Sequence, residues 1–146
     1  DEIRAAIGRA QLAKLAANNV RRGLLDRAYR ALLPAAAPDL TLPYTTTRGA
    51  PAYHLRPVLL PPGADRPRFM AEMKARGIQT SIHYPPVHRF SAYRRDDGPT
   101  LPITDDVAAR EVTLPLYPGL SLGDVEVVVA AAAEALAAAR QTQVAT

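Results

Sequence analysis

Cysteine is absent from the 146 residues, lysine occurs twice, and no apolar run reaches bilayer-spanning length. Without cysteine there is no disulfide framework, no thiolate metal site and no thiol nucleophile, which excludes thiol redox chemistry and fits a reducing, cytoplasmic setting. A membrane span needs roughly 20 apolar residues. The alanine-rich end is broken by Glu134 and Arg140 and reads as a soluble helix, so no membrane partner is expected. Glycine-rich phosphate loops of the Rossmann or Walker pattern are also missing, as is any internal repeat. The net charge of +4 raises nucleic acid as a partner, but with only Lys14 and Lys74 among 18 basic residues the rest are arginines scattered along the chain. Only Arg21-Arg22 and Arg94-Arg95 are adjacent, which makes no binding stripe, and no nucleic-acid partner is expected.

What is present suits one domain with a real core, at 48% hydrophobic content. The first residue is Asp1, which opens directly into a helical pattern and reads as a chain cut from something longer. Residues 1 to 33 hold no proline and predict one helix of about 50 Å, stopped by Pro34. Ile3, Ile7, Leu25, Tyr29 and Leu32 form its core-facing stripe; Leu12 and Val20 point elsewhere, as they would if the helix bridged the domain to a second body or merely carried exposed apolar residues. After an aperiodic stretch to Pro51, residues 52–60 predict a strand in which Pro57 demands an edge or a bulge. Asp65 caps a short helix carrying Phe69, Met70 and Met73 and ending at Gly77. Ile78, Thr80 and Ile82 alternate as a second strand, ended by Pro85-Pro86. A helix from about Thr104 to Glu111 precedes a third strand at Val112 to Leu116. Ser121 and Asp124 then start a final helix with the stripe Val125, Val128, Val129, Ala132 and Leu136. Together these elements give an α+β fold: a small mixed or antiparallel sheet covered by helices on one side, with a long N-terminal helix. The domain spans 1–140, with 1–33 as a linking helix, 52–140 as sheet and helices, and 141–146 as a frayed tail.

The polar residues with ligand chemistry gather at strand ends: Tyr53, His54, His83, Tyr84, His88 and Tyr117. Each offers a flat apolar face with a hydrogen-bonding tip, suited to a polar organic ligand or equally to half-buried packing. A metal site is not expected, because His83 and His88 are separated by two prolines with no acid in the same turn, and zinc needs three firmly placed ligands. Ser81 and His83 share a strand face, but no elbow glycines surround Ser81.

Four motifs then stand in register: Asp1 to Leu12, Ala52-Tyr53-His54-Leu55, Arg76-Gly77-Ile78 with Ile82-His83-Tyr84-Pro85-Pro86-Val87-His88, and Leu114-Pro115-Leu116-Tyr117-Pro118-Gly119-Leu120-Ser121. In this order and spacing the chain resembles the C-terminal part of DegT/DnrJ-type sugar aminotransferases over nearly its whole length. The resemblance implies the small domain of the aspartate-aminotransferase fold, in a homodimeric enzyme using pyridoxal 5'-phosphate (PLP) and glutamate to aminate a nucleotide-linked keto sugar. It also implies that the Schiff-base lysine and most cofactor contacts belong to a large domain absent here. No catalytic, cofactor-binding or metal-binding residue is therefore assigned in this chain, and it is expected to be inactive alone. The resemblance points to His83 and Tyr84 as substrate-side residues, with His88, Tyr53, His54 and Tyr117 as lesser ones. The rival expectations are a free-standing interaction or dimerisation domain derived from such an enzyme, acting through residues 1 to 33, and a small metal-binding module built on the histidines.

Overall fold

The computed structural model describes residues 1–46, 49–95 and 98–141. Helix α1, Glu2–Ala36, starts where the Asp1 carboxylate accepts the N–H groups of Ile3 and Arg4 at 3.1 and 3.2 Å. It runs through Pro34, because a proline in the last turn forfeits one hydrogen bond while the Ala37 N–H still reaches the Leu33 carbonyl at 2.8 Å. Only the C-terminal half of α1 is packed: Leu25, Tyr29 and Leu33 are fully buried at i, i+4 and i+8. Residues 1–17 are all exposed. The expected stripe therefore fails at its start, where Ile3 and Ile7 remain 74% and 58% exposed because no element among the described residues lies beneath them.

Strand β1, Arg56–Leu59, pairs antiparallel with β2, Glu111–Leu114, with Val58 opposite Val112 and Arg56 opposite Leu114. Single bridges extend this ribbon on both edges, Thr41 to Leu59 and Ser81 to Thr113. Leu59 exchanges both its backbone hydrogen bonds with Thr41, at 2.9 Å each. Two residues earlier, Pro57 directs its missing donor to that same, nearly unpaired edge, which is why proline is tolerated inside β1. The strand expected at 78–82 shrinks to the Ser81 bridge. The next donor facing β2, the His83 N–H, goes to the Glu111 side chain at 2.9 Å instead of a main-chain carbonyl. The first strand is shorter than expected, and the third starts one residue early.

Helix α2, Arg66–Ala75, begins at Asp65, whose Oδ1 accepts the Arg68 N–H at 2.9 Å, and turns out through Gly77 at φ +76°. A single 3₁₀ turn, Val87–Arg89, precedes α3, Pro102–Arg110, which starts two residues earlier than expected with proline in its first turn and releases Glu111 to the sheet. Helix α4, Leu122–Gln141, packs against α1 and α2. The expected tail at 141–146 lies, beyond Gln141, outside the described residues. Val58, Val112 and Leu114 on one sheet face join Leu25, Tyr29, Phe69, Met73, Val125, Val129 and Leu136 in the core. The α+β architecture thus holds. Glu111 and Thr113, alternating with Val112, point away from the Val112 face and towards the Ser81–His83 edge.

Candidate functional site

The alternation that sends Val112 and Leu114 into the core puts Glu111 and Thr113 side by side on the other face, opposite Ser81 and His83 of the edge segment. Glu111 is only 5% exposed, so its carboxylate must find donors within the protein. It takes two: the His83 N–H on Oε2 at 2.9 Å and the Thr113 hydroxyl on Oε1 at 2.5 Å. Thr113 Oγ1 in turn lies 3.0 Å from His83 Nδ1, and Ser81 Oγ lies 3.4 Å from the same nitrogen. His83 is thus held at its main chain by the buried carboxylate and at its ring by Thr113, which the same carboxylate anchors. A nucleophile–base–acid triad needs the hydroxyl and the acid on opposite ring nitrogens. Here Ser81 and Thr113 meet the same one, so Ser81 is not activated as a nucleophile.

Beyond His83 the chain forms one wall of a largely apolar cleft of about 700 Å³, with Tyr84, Pro85, Pro86 and His88 facing Leu101, Ile103 and Val107 of the α3 region. The His83 and Tyr84 rings meet edge to face, 5.0 Å apart at 83°, and Tyr84 is 66% exposed. Asp105 of α3 ties the opposite wall to the 3₁₀ turn: Arg89 Nη2 is 2.9 Å from Oδ2, and His88 Nε2 is 3.2 Å from Oδ1 but off the hydrogen-bonding direction.

The other expected residues do not converge on this cleft. His54 shares with His83, Ser81 and Thr113 a small hollow of about 180 Å³. Tyr53, at φ +50°, rests its ring on Gly23 of α1, where a Cβ would come within 2.8 Å of it, which is a packing role. It also lines a hollow of about 400 Å³ with Arg27, Arg30, Tyr44 and Arg56. There Asp26 bridges Arg56 Nη1 at 2.6 Å and Arg30 Nε at 2.7 Å. Burial draws the Arg56 guanidinium below its ordinary pKa, against the support of Asp26. Tyr117 lies apart from the cleft, beside Gln79, Asp124 and Val128.

Among the described residues no three His, Asp or Glu side chains gather as a metal set. Lys14 sits on the exposed half of α1, and Lys74 lines a hollow with Met70, Gln79 and Thr80 that contains none of the cleft's histidines or tyrosines. Neither reaches the His83 turn. The residues missed by sequence reasoning are Glu111, Thr113 and Asp105. Their signal was slight: an acid two places before a threonine at a helix-to-strand junction, where the pattern assigned Glu111 to the helix.

Residues 1–133 match the model of the DegT/DnrJ/EryC1/StrS aminotransferase family. The chain is 37% identical over 123 residues to the dTDP-3-amino-3,4,6-trideoxy-alpha-D-glucose transaminase of Streptomyces venezuelae, covering 82% of this chain and 31% of that protein. It is 37% identical over 128 residues to the dTDP-4-dehydro-2,3,6-trideoxy-D-glucose 4-aminotransferase of Saccharopolyspora spinosa, covering 87% and 32%. Among solved structures it resembles S. venezuelae DesV in complex with a ketimine intermediate, at TM-score 0.82 and 34% identity over 93% of this chain and 36% of that one. The aminotransferase TlmJ from Streptoalloteichus hindustanus is similar at TM-score 0.76 and 29% identity, over 92% and 36%. The chain therefore spans about a third of the length of the relatives it matches. On motif order, fold and the matched residues alike, it belongs to the DegT/DnrJ/EryC1/StrS aminotransferase family.

Proposed function

We propose that the chain is the substrate-side small domain of a PLP-dependent aminotransferase acting on a nucleotide-linked keto sugar, and that it recognises substrate without performing the chemistry. The observation that carries this is the His83 turn, clamped by the buried Glu111 beside an open cleft. A pre-fixed histidine and an exposed tyrosine on a rigid edge suit a hydroxylated, partly deoxygenated ring, which needs a few hydrogen-bond partners and an apolar wall. His83 and Tyr84 are the first contacts and His88 and His54 flank them, whereas Tyr53 and Tyr117 line other hollows and are not assigned to this cleft. PLP supplies an electron sink for moving the amino group between donor and sugar. The residues present do not fit that cofactor, since both lysines lie outside the cleft, so no step through it is assigned to them. It would be held by the remainder of a homodimeric, cytoplasmic enzyme drawing its amino group from glutamate.

The test has two parts. Purified chain titrated with PLP and then reduced with borohydride should show no saturable, stoichiometric pyridoxyl adduct; such an adduct on Lys14 or Lys74 overturns the division of labour. In the assembled enzyme, H83A and Y84A should each raise KM or lower kcat for the sugar at least tenfold, about 1.4 kcal/mol of binding or transition-state energy. Unchanged kinetics removes both from the site. The second reading, a free-standing interaction domain, draws on the bare apolar residues Ile3, Ile7, Leu12 and Leu15 of α1.

A further inference from the structure

We infer that Glu111 and Thr113 are positioning residues that lock His83 in the tautomer protonated at Nδ1, leaving Nε2 as a hydrogen-bond acceptor for a substrate hydroxyl. The lock rests on geometry alone; the identity of the hydroxyl's owner rests on the sugar reading above.

The Thr113 hydroxyl donates to Glu111 Oε1 at 2.5 Å. That hydroxyl has one hydrogen, now committed. Towards His83, 3.0 Å away, Thr113 Oγ1 can therefore only accept, and Nδ1 must be the donor. Ser81 Oγ, at 3.4 Å, is the longer contact to the same nitrogen and does not alter the count. A neutral imidazole carries one ring hydrogen, so Nε2 on the other side of the ring is bare. The same carboxylate holds the His83 N–H at 2.9 Å, which fixes the ring's origin as well as its tautomer. An acceptor presented this way favours a hydroxyl or an amine and disfavours a carbonyl oxygen. It would read the hydroxyl pattern of the ring at a point away from the reacting keto group.

The test is ¹⁵N NMR of the histidine rings in the full chain, recorded above pH 8, followed by titration with dTDP-glucose as the probe. Wild-type His83 should show the pattern of a protonated Nδ1 and a bare Nε2. T113V should move it to the opposite tautomer or a mixture, T113S should restore it, and S81A should leave it unchanged. A dispersed amide spectrum shows that each variant is folded. A wild-type His83 protonated at Nε2, or a T113V chain that keeps the Nδ1 proton, overturns the lock. If the tautomers behave as stated, dTDP-glucose should shift the His83 Nε2 resonance in wild type and T113S and at least tenfold less at equal concentration in T113V. Correct tautomers with no response to dTDP-glucose in any variant overturn the sugar reading while the lock stands.

Discussion

Asp26 is the residue whose removal the fold should feel most sharply. Arg56 is 2% exposed and leans on Asp26 as its charged partner, while its Nε and Nη2 are buried without a hydrogen-bond partner among the described residues. Deleting one member of a buried pair leaves the other charge uncompensated, which costs about 3–5 kcal/mol. D26A should lose that much in urea unfolding, whereas D26L combined with R56M should lie within about 1 kcal/mol of wild type, because a packed apolar pair removes both desolvation penalties. A small effect in the single variant would show Arg56 to be relaxed by water. Tyr29 gives a pH signature instead. Burial raises its phenol well above the ordinary value, and its hydroxyl donates to the Pro115 carbonyl at 2.9 Å. The unfolded phenol ionises near 10 while the folded one stays neutral, so stability is intact below about pH 10 and falls above it, by up to about 1.4 kcal/mol per pH unit. Y29F should abolish that extra alkaline slope, as measured by denaturant unfolding between pH 8 and 11. Neither role was legible in the sequence. Tyr29 was readable as core from its helical spacing, but Asp26 is a charge on the same buried face, and only the approach of Arg56 from β1 explains it.

Element by element, the legible parts were those with local causes. Ser121 and Asp124 fixed the start of α4 because the reciprocal cap is a property of four residues: Ser121 N–H to Asp124 Oδ2 at 2.9 Å, and Asp124 N–H to Ser121 Oγ at 3.0 Å. The Ser121 hydroxyl also donates to Asp124, at 2.7 Å, which holds that carboxyl below its ordinary value. S121A should therefore cost about 1 kcal/mol. The contribution of Asp124 should be present above about pH 4, where an unfolded aspartate is ionised, and be lost as pH falls through its lower folded value. Thermal unfolding of both chains at pH 7 and pH 3 checks this, with the gap between them narrowing in acid; an equal gap at both pH values would mean that the cap does not depend on the carboxylate. The strands were less legible, because pairing is non-local. The Ile78–Thr80–Ile82 alternation is genuine, yet the edge pairs at Ser81 alone, since the Glu111 side chain takes the next donor. For the same reason the His83–Tyr84–His88 turn could be placed beside a cleft from its prolines, while the carboxylate beneath it could not. Glu111 is 28 residues away and sits at a helix-to-strand junction where one residue's shift decides which face it takes.

For the molecule as a whole, the question is what supports the first half of α1. An isolated helix of about 12–15 residues is marginal in water, and most helical stability in proteins comes from a packed face. Residues 1–17 have no packed face: they are exposed throughout, with Ile3, Ile7, Leu12 and Leu15 among them. From Arg21, whose guanidinium donates to the Leu120 carbonyl at 2.9 Å, α1 is tied to the body of the domain and then enters the core at Leu25. Hydrogen exchange should therefore divide α1 in two. In dilute solution the amides of residues 2–17 should open with free energies near zero, and those beyond Leu25 should approach the global value. Burying the four bare apolar side chains against a second copy removes area worth roughly 25 cal/mol per Å², so the homodimer proposed above makes a further demand. As concentration rises and sedimentation shows dimer, protection should appear in residues 2–17 while the core amides change little. Strong protection of residues 2–17 in a dilute monomer would mean that this half of α1 folds back onto the domain. A dimer that leaves those amides unprotected would move the contact to another face.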